Sequence, residues 1–239
     1  MEHILTAIRK SGVGGDVASL AEPGANVAKP ARDPVWASLP HARIDPRHLE
    51  ANRIVTMSRS DPASGAFDLL RTRVLHEMRQ RGWTSLAITS ATPGAGKSVV
   101  ALNLAFSLAN CDDCRTLLLD LDLRSPRIAG DLGLHNAAAM EGFLAGRLDV
   151  EGMFQRCAPN LAVAANGQPV RLAAELLQSP RTAKVFRDLK RQLMPDIVIC
   201  DLPPMLANDD LVAFLPNVDC AILVVEAEKN TPEEVDRCE

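Results

Sequence analysis

The chain has 239 residues, 47% of them apolar, 23% charged and 3% aromatic, with a formal net charge of −4. Those proportions fit a globular domain with a sizeable core and exclude wholesale disorder, and the acidic balance argues against unspecific coating of DNA. The sequence contains no tyrosine.

Residues 1–10 lack the sustained apolar core of a signal peptide. The longest apolar candidate, Val99–Ala109, is interrupted by Asn103 and Ser107 and falls short of the ~18–20 residues that span a bilayer. A cytoplasmic chain is therefore expected. Ile4, Leu5 and Ile8 would line one side of a short helix, after which Gly12, Gly14, Gly15, Pro23, Gly24, Pro30, Pro34, Pro40 and Pro46 punctuate the chain. Such a stretch reads as a tether, so the predicted division is a flexible arm over residues 1–50 and one folded domain over residues 51–239. Within the domain, Phe67, Leu70, Val74 and Met78 recur at helical steps and predict a helix from Ser64 to a stop at Gly82. Strands are predicted at Ser85–Ser90, Thr116–Leu121, Leu161–Ala164, Asp196–Cys200 and Cys220–Val225. Helices are predicted at Lys97–Asn110, Leu172–Gln178, Arg181–Leu193 and Asp209–Leu215. Apolar strands that alternate with amphipathic helices imply an α/β fold, a mostly parallel sheet with helices on both faces.

The six cysteines follow no secreted spacing. Cys111 and Cys114 form a CxxC with no second pair at zinc spacing, and two thiols in a turn after a helix is the simpler reading.

The most informative stretch joins the first predicted strand to its helix. It runs Thr92-Pro93-Gly94-Ala95-Gly96-Lys97-Ser98-Val99, preceded by Ala91 where the strict phosphate-loop motif has glycine. Glycines let backbone N–H groups turn inward around phosphates and add to the partial positive charge of the helix N-terminus. Lys97 would bridge β- and γ-phosphate oxygens, and the Ser98 hydroxyl would ligate Mg²⁺. The bland alternative is an ordinary strand–turn–helix corner.

Two apolar strands end in acids. Leu117-Leu118-Leu119-Asp120-Leu121-Asp122-Leu123-Arg124 places Asp120 and Asp122 on one side by the two-residue period. At the carboxyl end of a parallel strand they would hold the metal's water shell and accept a proton from an attacking hydroxyl. Ile197-Val198-Ile199-Cys200-Asp201 ends before Pro203 and Pro204, and Asp201 would reach Mg²⁺ directly or through water. Many α/β strands end in Asp, so each end alone is weak. Taken together, Lys97, Asp120, Asp122 and Asp201 are the candidate catalytic set, with Ser98, Asp120 and Asp201 at the metal and residues 92–99 as the nucleotide cradle.

These three motifs in this order resemble the bacterial tyrosine kinases of the capsular and exopolysaccharide family, P-loop proteins with Walker A, A′ and B elements. The likeness extends over Phe67-Asp68-Leu69-Leu70-Arg71-Thr72-Arg73, Glu175–Pro180, Asp201–Asp209 and Val218–Val225. The residues at the start, Met1-Glu2-His3-Ile4-Leu5-Thr6-Ala7-Ile8, are similar to members separate from their membrane partner. The resemblance implies ATP and Mg²⁺ as ligands and ADP as product. It also implies a separate membrane co-polymerase as activator, peripheral attachment at the inner membrane through that partner, and a role in polysaccharide polymerisation or export. Partition and septum-positioning relatives carry an extra lysine where this chain has Thr92. Three departures stand out. The family autophosphorylates a tyrosine cluster, which these residues lack. Its oligomerisation motif, Glu-x-x-Arg-x-x-Arg, falls on Gly65, Asp68 and Arg71, which puts a homo-oligomeric ring in question. Relatives also add a strand and helix beyond the position of Glu239 that contribute to the base pocket. Two alternatives stay open: a nucleotide-operated switch without kinase action, and a partition-type ATPase. For the latter, Arg181, Lys184, Arg187, Lys190 and Arg191 offer a basic stripe, more often a solvated face than a nucleic-acid site.

Overall fold

The computed structural model describes residues 34–57 and 61–238. In chain order the elements are α1 (Pro34–Ser38), α2 (Pro46–Ala51), α3 (Ser64–Arg81), β1 (Ser85–Ser90), α4 (Lys97–Ala109) and β2 (Thr116–Asp120). There follow α5 (Ile128–Leu132), α6 (Met140–Leu144), α7 (Val150–Met153), β3 (Gln155–Ala158), β4 (Leu161–Ala164), α8 (Ala173–Gln178) and α9 (Pro180–Leu193). The chain continues through β5 (Ile197–Asp201), α10 (Asp210–Phe214), β6 (Cys220–Val224) and α11 (Pro232–Asp236).

The strands form one sheet in the order β3-β4-β2-β5-β1-β6. Every pairing is parallel except β3 with β4. Period-two alternation then divides the core. Leu117, Leu119, Val198 and Cys200 face one layer, with Phe186 and Leu189 of α9 and Leu177 of α8. Leu118, Ile197, Ile199, Leu86 and Ile88 face the other, with Leu70 and Val74 of α3 and Leu102 and Leu104 of α4. Both faces are covered, as the apolar strands predict. In β2 and β5 the same alternation carries Asp120 and Asp201 onto the α4 side, and the two are register partners.

The predicted elements are found with ends shifted by a residue or so, and Gly82 stops α3 in the left-handed region, at φ 67°. The tether, by contrast, does not run to residue 50. Residues 34–50 fold onto the domain, because Trp36 and Leu39 are buried in one core layer and Leu49 in the other. Trp36 also donates its indole N–H to the Pro159 carbonyl at 2.9 Å. The Pro and Gly punctuation reads as a tether, yet Pro46 occupies the first position of α2, where proline is favoured. Ile4, Leu5, Ile8 and the rest of the predicted arm lie outside the described residues. The edge strand β3 is additional to the predicted strands. Its residues, Gln155-Arg156-Cys157-Ala158, are half-buried and carry no apolar run. Residues 40–42 cover its outer edge, where Ala42 N donates to Arg156 O and Arg156 N to Pro40 O.

Candidate nucleotide site

At the carboxyl end of β1 the chain turns through residues 91–96 into α4. Gly94 and Gly96 both sit at φ 87°, where an L side chain is strained, and a Cβ at either would point into open space. Ala91 has an ordinary negative φ, so the departure from the strict motif costs no backbone strain. It is fully buried under the loop. Gly96 begins α4 with no side-chain cap, which leaves the first-turn N–H groups facing the concavity that anions favour. Pro93 and Gly94 form the exposed tip, with Ala95 and Gly96 half-buried. Val99 lies in the first turn of α4, its carbonyl accepting from Asn103 Nδ2 at 2.9 Å. Thr92 is tied at both ends, its carbonyl accepting from Ser90 Oγ and its hydroxyl from Asn230 Nδ2.

Beneath the loop, Lys97 is buried among the strand-end acids. Its Nζ lies 2.7 Å from Asp122 Oδ2 and 3.6 Å from Asp201 Oδ1. Ser98 Oγ donates to Asp201 Oδ2 at 2.6 Å. Asp120 Oδ2 accepts from the Ile128 N–H at the start of α5, and Asp122 Oδ1 accepts from Ser125 N. Two oxygens in this cluster, Asp120 Oδ1 and Asp201 Oδ1, are buried without a hydrogen-bond partner. Burial of oxygens that accept no hydrogen bond is costly unless something else occupies the space, and an oxygen-seeking divalent cation fits that donor set. Burial raises both carboxyls above their ordinary value, reinforced at Asp120 by the negative charge of Asp201. For Asp201 the rise is to about 6, in spite of Lys97 and Ser98. Burial opposes the charge on Lys97, but Asp201 and Asp122 together outweigh it and its pKa goes up. The lysine therefore stays protonated and acts as counter-ion to the carboxylates.

The structure thus gathers Lys97, Ser98, Asp120, Asp122 and Asp201 into one pocket. A family model described as the CobQ/CobB/MinD/ParA nucleotide binding domain matches residues 86–209, which hold all of them. The tyrosine-protein kinase YwqD of Bacillus subtilis (strain 168) is 32% identical over 190 residues, 78% of each chain. This chain belongs to the bacterial tyrosine-kinase family of P-loop proteins. Among longer family members, the tyrosine-protein kinase etk of Escherichia coli (strain K12) is 32% identical over 183 residues, and the chain spans 24% of its length. The solved kinase domain of the E. coli tyrosine kinase ETK superposes with a TM-score of 0.70 at 29% identity, covering 77% of this chain and 72% of that one.

Measured against the family motif, Gly65, Asp68 and Arg71 lie on α3. Arg71 Nη1 binds Asp68 Oδ1 and the hydroxyl and carbonyl oxygens of Ser107, and Ser107 Oγ donates back to Asp68. The retained arginine is thus engaged inside the molecule. On α9, Phe186, Leu189 and Leu193 face the core, and Lys184 and Arg191 of the basic stripe both pair with Asp188. Lys190 instead reaches the Ser85 hydroxyl at 3.0 Å. Cys111 and Cys114 fall in the turn after α4, with burial pushing the Cys114 thiol up to about 11. Among the described residues no helix is long and apolar enough to cross a membrane.

Sequence reasoning missed three groups at this site. The Ile128 N–H carries no side-chain signal. Asn230 sits in a polar stretch remote from the loop in sequence, and only the return of the chain after β6 brings it to Thr92. Asp210, adjacent to the equally acidic Asp209, gives no hint that it is buried and holds Arg124.

Proposed function

We propose that this chain binds ATP with Mg²⁺ in the pocket above and acts as an ATP-dependent phosphotransferase or ATPase. The reading rests chiefly on the buried Oδ1 atoms of Asp120 and Asp201, which accept no hydrogen bond, beside Ser98 and Lys97. Asp120, Asp201 and the Ser98 hydroxyl would hold the cation, which when bound supplies charge neutralisation at the phosphates. Within residues 92–99 the backbone N–H groups, Pro93 having none, cradle the phosphates. Lys97 moves from Asp122 to phosphate oxygens, which frees Asp122 to orient an attacking hydroxyl and take its proton. By analogy with the family, the acceptor is a tyrosine outside these 239 residues, which hold none. A membrane polysaccharide co-polymerase would activate the chain from the inner membrane, and polysaccharide polymerisation or export would be the controlled process.

Isothermal calorimetry of the intact chain with Mg·ATP tests the site. Binding is expected for the natural sequence and its loss, together with loss of phosphate release, for Lys97→Ala, whose fold is checked by far-ultraviolet circular dichroism. Normal hydrolysis by Lys97→Ala refutes the assignment.

One second reading has an observation in its favour. A nucleotide-operated switch, docking on a partner while ATP is bound, needs no acceptor tyrosine and no ring, in keeping with the missing tyrosines and the internal engagement of Arg71. Labelled ATP incubated with the cytoplasmic part of the co-polymerase separates the two. Phosphotyrosine on the partner marks a kinase, and label found only as free phosphate marks a switch.

A further inference from the structure

Two loops leave the sheet beside the site, residues 121–127 after β2 and residues 202–209 after β5. They part from a shared bond, Leu121 N to Asp201 O at 2.8 Å. Farther out a side chain joins the first loop to the start of α10, which follows the second. Arg124 Nε and Nη2 donate to Asp210 Oδ2 and Oδ1 at 2.7 and 2.9 Å. The Asp210 carboxylate is fully buried while Arg124 is 41% exposed. Two parallel N–H···O bonds fix orientation as well as distance, which a single point charge does not.

The fork completes a circuit around the pocket. On one side, the 202–209 loop is bonded to the end of β1 and the phosphate loop, Met205 N to Ser90 O and Leu206 N to Ala91 O. On the other, Asp122, two residues before Arg124, holds Lys97 at 2.7 Å. Lys97 returns to the phosphate loop through α4. One link in this circuit is the one that a triphosphate must break, because phosphate oxygens compete with Asp122 for the same ammonium. Asp122 then keeps the Ser125 N–H, which belongs to its own loop. The loop is then held at its base by the Leu121–Asp201 bond and the buried side chains of Leu121 and Leu123, and farther out by the bond of Val170 N to Leu123 O and the Arg124 fork.

We propose that Arg124 is a positioning residue whose fork on Asp210 keeps the 121–127 loop, and Asp122 with it, in place once the nucleotide has drawn Lys97 away. The inference rests on the nucleotide reading of the site. It goes beyond that reading by assigning a task specific to the loaded state. A merely structural ion pair would matter equally with the pocket empty or filled.

Hydrogen exchange of the intact chain, with and without the magnesium complex of a non-hydrolysable ATP analogue, distinguishes these. In R124Q/D210N a neutral amide pair replaces the fork, so no buried charge is stranded. In Arg124→Lys the charge stays and the fork is lost, which keeps the test available if the double variant does not fold. Amides of residues 121–127 are expected to exchange as in the natural chain when the pocket is empty, and several-fold faster when the analogue is bound. Turnover is expected to fall about tenfold with nucleotide affinity retained. Exchange that matches the natural chain in both states, or that rises equally in both, overturns the proposal. If the natural chain fails to bind the analogue in calorimetry, the nucleotide reading itself falls, an outcome separate from either exchange result.

Discussion

Asp201→Asn removes one charge from a buried cluster while keeping its shape, and the ligand-free protein is expected to gain stability from it above pH 6. The carboxyl of Asp201 ionises near 6 in the fold against an ordinary 3.8, chiefly because it is buried. Below 3.8 it is protonated in folded and unfolded chains alike and contributes nothing. Between these values the unfolded chain has released its proton while the fold still holds one, so stability falls as pH rises through the window and levels off above 6. With Lys97, Ser98 and Asp122 around it, that difference opposes folding by about 3 kcal/mol at neutral pH. Asparagine escapes it, and because the value near 6 already includes the opposing pull of Lys97 and Ser98, the net gain is expected to reach about 3 kcal/mol. Urea denaturation of both proteins from pH 4 to 8 without divalent cations measures the difference. The gain should grow across the window and then flatten. A variant less stable at pH 8 than the natural chain, or a difference that ignores pH, refutes the electrostatic account of the pocket.

Trp36→Ala tests whether residues 34–39 belong to the core. A buried indole with a satisfied N–H predicts a loss of about 3–5 kcal/mol in urea, and an unchanged midpoint would return this segment to a tether. Asn230→Ala removes bonds to Thr92, Glu234 and the Glu226 N–H. A loss of about 1–2 kcal/mol is expected, with faster hydrogen exchange confined to residues 226–236; unchanged exchange there would mean that Asn230 does not anchor the segment.

The sheet and its acids were legible because strong local signals agreed. Leu117–Asp120 and Ile197–Asp201 read as buried strands ending in acid, and the phosphate loop lay between a strand and a helix where its chemistry requires. What escaped was whatever depends on pairing between distant segments. Gln155–Ala158 becomes a strand because Leu161–Ala164 offers an open edge, not because its residues favour one. Pro34–Ser38 is held by the contact of Trp36 with Pro159, 123 residues away. The Arg124–Asp210 fork likewise joins positions 86 apart. In each case the deciding partner lies outside any window in which composition or periodicity has meaning.

The pocket combines features that a sequence optimised for stability alone would avoid. Three carboxylates, Asp120, Asp122 and Asp201, meet in a buried space where Lys97 is the bonded cation, and two oxygens are left without hydrogen bonds. Local rules are usually broken where function requires it. The arrangement has a consequence for binding. A divalent cation must displace the protons that burial retains on Asp120 and Asp201, so its uptake with nucleotide near pH 6 should release protons. The measured binding enthalpy should then vary with the ionisation enthalpy of the buffer. At pH 8, where Asp201 is already ionised, the dependence should weaken. An enthalpy independent of buffer at both pH values would mean that the cation does not meet these carboxyls, and the fold's most unfavourable feature would be left without a ligand to offset it.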